Sequence, residues 1–354
     1  MKKFIALLLA LVMVFALAAC GTKTEPTPAP ATDTPTGVPS VEPTTDPTGA
    51  PAGSVAGTPT GELAKIKMAT GGTSGTYYSF CGIIAQVLND SMKEYLNINA
   101  ESTGASMANV QLLEAGESNM AIVQNDVMSY AYNGTSLFTE PVAGFSAVMS
   151  CYPEEVQLVA NSKITSIEDL KGKTVSVGAS DSGTRFNAEQ ILNAYGITFD
   201  DINVVYESFA DSADSIKNGS VDAAFVVAGA PTTALTELAT NFNFNILPID
   251  DEHIAKLQED YGFYTASTIP GGTYTCIADD VQTVAVMATI VASDELSEDA
   301  VYNFLLGMFN YKADIAASHA KGALIDMDTA VSGISIPFHP GAVRFYAEQG
   351  IDVA

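Results

Sequence analysis

The stretch that decides the fold is Ala69-Thr70-Gly71-Gly72-Thr73-Ser74-Gly75-Thr76-Tyr77-Tyr78, a turn rich in glycine and hydroxyl residues. It follows a short apolar run at residues 66–69 and precedes a helical pattern that continues to Met92. A turn of this kind presents free backbone N–H groups and hydroxyls at the positive end of a helix, where a phosphate or a carboxylate is stabilised. The sequence therefore predicts a strand, a turn suited to an anion, and a helix.

A second turn of the same composition lies near the middle of the chain, at Gly178-Ala179-Ser180-Asp181-Ser182-Gly183-Thr184-Arg185. It also follows a predicted strand, residues 174–177, and precedes a helical pattern. Neither turn has the G-x-G-x-x-G spacing of a dinucleotide site or the lysine of a P-loop, so phosphate chemistry is disfavoured. Either turn alone could connect a strand to a helix without binding anything. Two of them in successive α/β units predict a ligand that is held from both sides.

The N-terminal part of the chain predicts export and anchoring. Residues 1–20 combine a positively charged start, an apolar run and the sequence Leu17-Ala18-Ala19-Cys20-Gly21, which are the features of a lipoprotein signal peptide with a lipobox. Cys20 is therefore the predicted lipidation site, which would anchor the protein to the extracytoplasmic side of the membrane. A secreted protein with an incidental cysteine is the alternative. Residues 21–62 are dominated by Thr, Pro, Ala and Gly and are expected to form a disordered tether.

The charge balance restricts the partners of the folded body. The 354 residues include 15 basic and 41 acidic side chains, which gives a formal net charge of −26. Such an acidic protein is not expected to bind nucleic acid or an anionic membrane surface by bulk electrostatics. Three histidines without paired spacing indicate neither a zinc site nor a catalytic triad, so no metal and no cofactor is expected. Cys81, Cys151 and Cys276 form no C-x-x-C pair; we expect small buried residues, with one disulfide among them left open.

Predicted strands alternate with predicted helices along the rest of the chain, which is typical of α/β proteins with parallel sheets. The strands are expected at residues 66–69, 98–101, 120–124, 156–160, 174–177, 203–206, 221–228 and 284–292. The helices are expected at residues 78–92, 107–115, 166–170, 186–195, 211–218 and 297–311. A strand-helix-strand-helix-strand order occurs twice, and the length of the chain after the tether suits two lobes.

Several motifs occur in the order that is found in one known family. The chain resembles the solute-binding subunits of TRAP transporters, specifically the TAXI branch (TRAP-associated extracytoplasmic immunogenic proteins), over nearly the whole folded body. Besides the two turns, the matching segments include Glu101-Ser102-Thr103-Gly104-Ala105-Ser106, Ala121-Ile122-Val123-Gln124-Asn125-Asp126-Val127, Phe225-Val226-Val227-Ala228-Gly229, Pro270-Gly271-Gly272-Thr273-Tyr274 and Ile336-Pro337-Phe338-His339-Pro340-Gly341.

The resemblance implies a type II periplasmic-binding-protein fold, in which two α/β lobes are joined by two hinge-crossing strands and enclose a ligand cleft. Residues 63–155 and 285–354 would form lobe 1, and residues 156–284 would form lobe 2. The implied partners are a TRAP membrane permease and a small carboxylate such as glutamate, glutamine or a dicarboxylate like 2-oxoglutarate. The protein would act as a monomer. Relatives often carry glycine at the position of Ser74, and they do not always carry a basic residue at the position of Arg185.

The candidate ligand-binding residues lie in the two turns and where predicted strands meet their helices, at one edge of each sheet. They are Ser74, Gly75, Thr76, Tyr77, Thr103, Gly104, Ser106, Gln124, Asp126, Ser182, Gly183, Thr184, Arg185 and Gly229. Hydroxyls and backbone amides of the turns would hold a carboxylate from both lobes. Gln124 and Asp126 would bind an amino group or an amide.

Two further assignments depend on side-chain direction. Arg185 could grip a carboxylate bidentately, or it could be a solvated residue that pairs with Glu189. Consecutive residues at a helix start cannot both face the cleft, and we expect Tyr77 rather than Tyr78 to face the ligand. Tyr274 is expected at the rim of the cleft.

Two other functional classes remain open at this point. An enzyme could use the same fold, but Ser74 is not part of a G-x-S-x-G motif and no histidine lies near either turn, so no catalytic activity is expected. A lipoprotein sensor that hands its solute to a receptor would use the same closing cleft. The sequence does not separate sensing from transport.

Overall fold

The computed structural model describes residues 55–136 and 138–353. The predicted signal peptide 1–20 with its lipidation site Cys20, and most of the predicted tether, lie outside these residues. None of the helices in the described part combines the length and the apolar character that crossing a bilayer requires.

Ten strands form one continuous sheet in the order β2-β1-β3-β10-β4-β7-β5-β6, with β8 beside β4 and β9 beside β10. The strands are β1 Ala64–Ala69, β2 Leu96–Glu101, β3 Met120–Gln124, β4 Phe145–Asn161, β5 Thr174–Ser176, β6 Asn203–Val205, β7 Ala223–Ala228, β8 Phe244–Ile246, β9 Thr265–Ile269 and β10 Val281–Ser293.

Eleven α-helices accompany these strands in the described residues. The helices are α1 Thr76–Ser91, α2 Ser106–Glu114, α3 Asn125–Asn133, α4 Gly183–Ala194, α5 Phe209–Asn218, α6 Thr233–Ala239, α7 Asp251–Tyr261, α8 Glu298–Asn310, α9 Lys312–Ser318, α10 Met327–Ala330 and α11 Pro340–Glu348.

The long antiparallel strands β4 and β10 join the two lobes. In the first lobe β1 pairs in parallel with β2 and β3, and in the second lobe β5 pairs in parallel with β6 and β7. One part of β10 pairs with β3 and the other with β9, while β4 pairs with β10 along its first part and with β7 along its second. The expected fold class, two α/β lobes connected by two crossing strands, is therefore confirmed.

Each lobe has its own apolar core on both faces of the sheet. In the first lobe, one cluster packs α1 and α8 on the sheet through residues such as Phe80, Leu88 and Phe304, and another surrounds Val123 on the opposite face. In the second lobe, equivalent clusters lie on the two faces of β7, whose six residues are all buried. The sequence of a strand that is buried on both faces is a continuous apolar run. This pattern is the one that predicts β7.

β4 differs most from its predicted length. The sequence predicts a strand only at 156–160, whereas β4 has 17 residues. Pro153, Glu154 and Glu155 interrupt the apolar pattern in its middle, because this is where the strand passes from one lobe to the other. The short strands β8 and β9 were not predicted either.

The end of the predicted tether is ordered, which corrects the expectation of a disordered segment through residue 62. We call residues 55–61 the N-terminal strap. The amide of Thr60 donates to Asn303 Oδ1 (3.0 Å), and Asn303 Nδ2 donates back to the carbonyl of Thr60 (2.7 Å). Gln349 exchanges two hydrogen bonds with the backbone of Ala56. Apart from Val55, which packs against the core of the first lobe, polar side chains hold this strap, so its composition resembles that of a disordered segment.

Candidate functional site

Two adjoining cavities lie in the cleft between the lobes. The first is lined by Gly71, Gly72, Gly75, Thr76, Tyr77, Ala105, Ser106, Gln124, Glu154, Gly183, Thr184, Phe209, Val227 and Ala228. The second is lined by Gly72, Ser74, Thr103, Gly104, Ala105, Ala179, Ser182, Glu207, Ser208 and Phe209. Gly72, Ala105 and Phe209 line both, so the two cavities adjoin.

The topology explains why residues so distant in sequence meet here. β1, β2 and β3 run in parallel, as do β5, β6 and β7, so the carboxyl ends of each set lie at one edge of the sheet. The turns after these strands start helices α1, α2, α4 and α5, each of which contributes its first or second residue to a cavity lining. This is the sheet edge at which α/β proteins bind ligands.

The first two of these helices begin without a side-chain cap. Gly75 precedes α1 and Ala105 precedes α2, and neither supplies a side-chain hydrogen bond to the first turn. Their first backbone N–H groups therefore lack intrahelical and side-chain partners beside the first cavity. The amide of Ala108, the third residue of α2, donates to a carbonyl of the second lobe instead. Ala105 has a φ of 73°, a conformation that costs alanine about 1–3 kcal/mol and that occurs preferentially at functional sites. The arrangement is suited to an anionic group.

Hydrogen bonds between the lobes involve both predicted turns. Thr76 Oγ1 donates to the carbonyl of Gly229 at 2.8 Å. The amide of Ala234 donates to the carbonyl of Ser74 at 3.2 Å, and the amide of Ala108 donates to the carbonyl of Asp181 at 3.1 Å. These contacts place both predicted turns on the boundary between the lobes. Gly229 itself does not line a cavity, and its carbonyl fixes the Thr76 side chain instead.

Gln124 faces the first cavity from the end of β3. Its backbone amide donates to Ser106 Oγ at 3.1 Å. Its side-chain Oε1 is buried and has no hydrogen-bond partner among the described residues. A buried amide oxygen without a donor is costly, and this one lies against Gly183 of the second lobe.

Tyr77 lines the first cavity and donates a hydrogen bond of 2.5 Å to Glu154 Oε1. Burial raises the pKa of the Glu154 carboxyl well above its usual range. The hydrogen bond from Tyr77 and the charge of Lys321 oppose this shift, and the nearby carboxyls of Asp126 and Glu155 add to it. Burial also raises the pKa of the Tyr77 phenol. Burial therefore favours the uncharged form of both side chains. Tyr78 is half-buried and lines neither cavity.

The structure does not bring Asp126 into the cleft, which corrects the expectation that it binds a ligand amino group. Its Oδ1 accepts from the amide of Val127 (2.8 Å), and its Oδ2 accepts from Asn187 Nδ2 on α4 (2.9 Å). Because α3 begins directly after β3, the Asp126 side chain turns back to its own helix and links it to the second lobe. Burial raises the pKa of Asp126 to about 6.

Arg185 also lies outside both linings, contrary to the expected carboxylate clamp. Its guanidinium is 5.8 Å from the ring centroid of Tyr206, and its Nε is buried without a hydrogen-bond partner in the described part of the chain. The alternative pairing with Glu189 is also not among the ion pairs of residues 55–353. Tyr274 is buried rather than at the rim, where its hydroxyl contacts Gln157 and the amide of Thr232.

Sequence reasoning missed several lining residues, chiefly Glu154, Glu207 and Phe209. Glu154 lies in the unpredicted part of β4, where two acidic residues inside an apolar run were the available signal. Glu207 and Phe209 follow strand β6 and could have been found by the same edge argument that selected Gln124.

The described residues contain no cluster of His, Cys, Asp or Glu side chains that could hold a metal ion. Cys81, Cys151 and Cys276 are free thiols, and the first two are buried. Burial raises the pKa values of the Cys81 and Cys151 thiols, which makes both thiols unreactive.

Residues 68–350 match the model of the NMT1-like family. Among solved structures, the chain is similar to the alkanesulfonate-binding protein SsuA from Xanthomonas axonopodis pv. citri bound to MOPS, with 14% identity and a TM-score of 0.48 over 82% of this chain and 85% of that chain. It is similar to the periplasmic aliphatic sulphonate binding protein SsuA from Escherichia coli, with 17% identity and a TM-score of 0.47 over 82% of this chain and 84% of that chain. It is also similar to PhnD1 from Prochlorococcus marinus (MIT 9301) in complex with methylphosphonate, with 11% identity and a TM-score of 0.47 over 75% of this chain and 89% of that chain.

Proposed function

The chain belongs to the NMT1-like family, and we propose that it is an extracytoplasmic solute-binding protein that captures a small carboxylate between its lobes and delivers it to a membrane permease. The observation that carries this proposal is the pair of uncapped helix starts, at Gly75 and Ala105, beside one interlobe cavity. Binding rather than catalysis is proposed because none of the three histidines lines either cavity.

A carboxylate suits the charges around the first cavity. The N-terminal end of a helix carries about half a positive charge, and an anion there is stabilised by about 0.3–1 kcal/mol, or up to about 2 kcal/mol when partly buried. Two uncapped ends act together here, and the start of α4 adds Gly183 and Thr184 from the second lobe. Burial raises the pKa of Glu154, which favours its uncharged form and so reduces its repulsion of an anion.

The lobes enclose this cavity by direct contacts, which supports a mechanism of capture by closure. Thr76 hydrogen-bonds Gly229, and Gly183 lies against Gln124, so each lobe touches the other beside the ligand space. The crossing strands β4 and β10 are the hinge in this proposal, with residues 63–155 and 285–354 moving against residues 156–284. A ligand that contacts both lobes favours the closed arrangement because it binds that arrangement more tightly.

We assign the partner and the location from the sequence. The resemblance to the TAXI branch suggests a TRAP permease driven by an ion gradient as the recipient of the solute. A lipid on Cys20 would hold the protein at the outer face of the membrane, and the tether would let the lobes reach the permease. The net charge of −26 favours solubility and disfavours binding to an anionic lipid surface.

The test identifies the ligand directly. The protein without residues 1–20, and therefore without Cys20, is purified. Mass spectrometry then identifies any small molecule that is released on denaturation. Protein refolded without ligand is then heated with L-glutamate, L-glutamine or 2-oxoglutarate, and with methanesulfonate or methylphosphonate as anions that lack a carboxylate. A ligand at a hundredfold excess over its Kd stabilises the folded state by about 2.7 kcal/mol. A ligand-free protein that responds to none of the carboxylates contradicts the proposal.

A further inference from the structure

We propose that Lys321 is a positioning residue for closure of the cleft: its ammonium group, in a buried ion pair with Glu155, holds the turn after β7 against the first lobe. This inference rests on the closure mechanism of the proposed function, and it assigns part of that mechanism to a side chain that lines neither of the two cavities. It also gives Gly229 a role, as the residue of the second lobe that Lys321 contacts.

Lys321 is fixed to the first lobe by its own backbone. It lies in the helical turn Ala320–Leu324, near the C-terminal end of the chain. Its amide donates to His319 Nδ1 at 3.2 Å, and His319 Nε2 lies 3.1 Å from Ser79 Oγ on α1. The His319 ring also packs on Phe80 of α1, with 5.4 Å between the ring centroids. The base of the Lys321 side chain therefore belongs to the first lobe.

The ammonium end of Lys321 reaches the boundary between the lobes. Its Nζ lies 3.8 Å from Glu155 Oε2, and the two side chains are only 9% and 12% exposed. Glu155 is the residue of the crossing strand β4 that pairs with Ala228 at the end of β7. The same Oε2 accepts a hydrogen bond from the amide of Ala230 at 2.9 Å. One carboxylate therefore connects the lysine of the first lobe to the backbone that follows β7 in the second.

Lys321 also touches this turn directly. A Cβ built on Gly229 would collide with Lys321 Cε and would lie 3.0 Å from Tyr152 Cε2, so the lysine stem lies against the Gly229 backbone. The ammonium group is 5.5 Å from the ring centroid of Tyr152. The carbonyl of Gly229 accepts from Thr76 Oγ1 at the cleft. Two residues of the first lobe, Thr76 and Lys321, thus hold the same residue of the second.

The charges explain why this contact favours the closed arrangement. Burial lowers the pKa of Lys321, and the carboxylates of Glu155 and Glu154 oppose this shift. A buried charge whose partner is removed is strongly destabilising, whereas the same charge in an open cleft is hydrated. Loss of either partner should therefore shift the population from closed to open. Because apparent affinity falls with the population of the binding-competent state, every ligand should lose affinity by the same factor.

A double-mutant cycle tests this role. Calorimetry measures the binding of L-glutamate, L-glutamine and 2-oxoglutarate to the wild type, to Lys321→Met, to Glu155→Gln and to the double variant. Lys312→Met is the matched control, because Lys312 is an exposed lysine on α9 of the same lobe. Each single variant of the pair should lose about tenfold in affinity, by the same factor for each ligand, and Lys312→Met should lose none. The double variant should lose less than the product of the two single losses, because no charge is then buried alone.

Thermal unfolding of the unliganded variants checks that each is folded, and Glu155→Gln, which retains an acceptor for the Ala230 amide, decides the matter if Lys321→Met is not. Wild-type affinity in a folded variant of the pair, a loss that differs between ligands, or single losses that simply multiply overturns the positioning role and leaves the proposed function standing. A wild type that binds none of the carboxylates contradicts the proposed function itself. Small-angle X-ray scattering of the unliganded proteins then decides the role of Lys321: a larger radius of gyration in Lys321→Met than in the wild type supports it, and an equal one overturns it.

Discussion

Gly183 lies against the side-chain amide of Gln124 across the cleft. A Cβ built on Gly183 would be 1.7 Å from Gln124 Oε1 and 3.1 Å from Ser106 Oγ. Gly183 is the first residue of α4 in the second lobe, and Gln124 ends β3 in the first. A side chain at position 183 would therefore have to displace the Gln124 amide in this arrangement of the lobes.

The first prediction concerns this contact. Gly183→Ala should weaken ligand binding by about 10- to 100-fold, because overpacking costs about 1–3 kcal/mol and here the cost falls on the closed arrangement. Calorimetry with the ligand identified by mass spectrometry measures the effect. Gly82→Ala is the control, since a Cβ at this position in α1 meets nothing within 4 Å. A Gly183→Ala variant with wild-type affinity would mean that the lobes bind ligand without this approach.

The second prediction concerns the protonation of Glu154. Tyr77→Phe removes its hydrogen-bond donor and should reduce the free energy of unfolding by about 1–3 kcal/mol, because a buried acceptor is left unpaired. Glu154→Gln should cost less, since the glutamine preserves a neutral group of the same shape. Denaturant unfolding at pH 6 measures both variants. A larger loss in Glu154→Gln than in Tyr77→Phe would show that the buried carboxyl is ionised.

The third prediction follows from the raised pKa of Asp126. A carboxyl whose pKa is higher in the folded state stabilises the fold below its unfolded pKa, and that contribution is lost as the pH rises through the folded value. The shift from 3.8 to about 6 corresponds to about 3 kcal/mol. Between pH 4 and pH 7, the wild type should therefore lose about 2.5 kcal/mol of unfolding free energy relative to Asp126→Asn. The control is Asp214→Asn, which removes an exposed acidic side chain; its unfolding free energy should differ from that of the wild type by the same amount at each pH. The prediction is contradicted if the curves of unfolding free energy against pH run parallel for the wild type and Asp126→Asn.

Much of the fold follows from local sequence patterns. β1, α1 and β3 were predicted close to their observed bounds because apolar periodicity and glycine-rich turns mark them directly. β4 was predicted only in part, since its middle carries Pro153 and two acidic residues at the passage between lobes. The strap was missed because its stability comes from side chains of helices far along the sequence, which no local composition reveals.

The site was predictable where topology alone positions a residue. Residues after parallel strands meet at one sheet edge, and this rule brought Thr76, Ser106 and Gln124 to the first cavity. It does not give side-chain direction, so Asp126, two residues after Gln124, was wrongly placed in the cleft. Glu154 could not be located by this rule because it lies within a crossing strand rather than at its end.

The fourth prediction concerns anchoring, which lies outside the described residues. Cys20→Ala should release the protein from the membrane fraction, since the predicted lipid attaches at that residue. Ligand affinity should be unchanged, because the predicted tether separates the anchor from the lobes. Fractionation with immunoblotting, followed by calorimetry on the released protein, measures both outcomes. A variant that remains membrane-bound after cleavage of its signal peptide contradicts the lipobox assignment.

The fifth prediction concerns the strap. Removing residues 21–54 should leave the unfolding free energy unchanged, whereas removing residues 21–61 should lower it by about 3 kcal/mol, because each lost hydrogen bond is worth about 0.5–1.5 kcal/mol. Asn303 tests the contact directly, since it both accepts from and donates to the backbone of Thr60. Asn303→Ala should cost more in the chain that retains the strap than in the chain without it. Denaturant unfolding of the four proteins gives the coupling energy, which we expect to exceed about 1 kcal/mol. A coupling near zero would mean that Asn303 stabilises the first lobe independently of the strap.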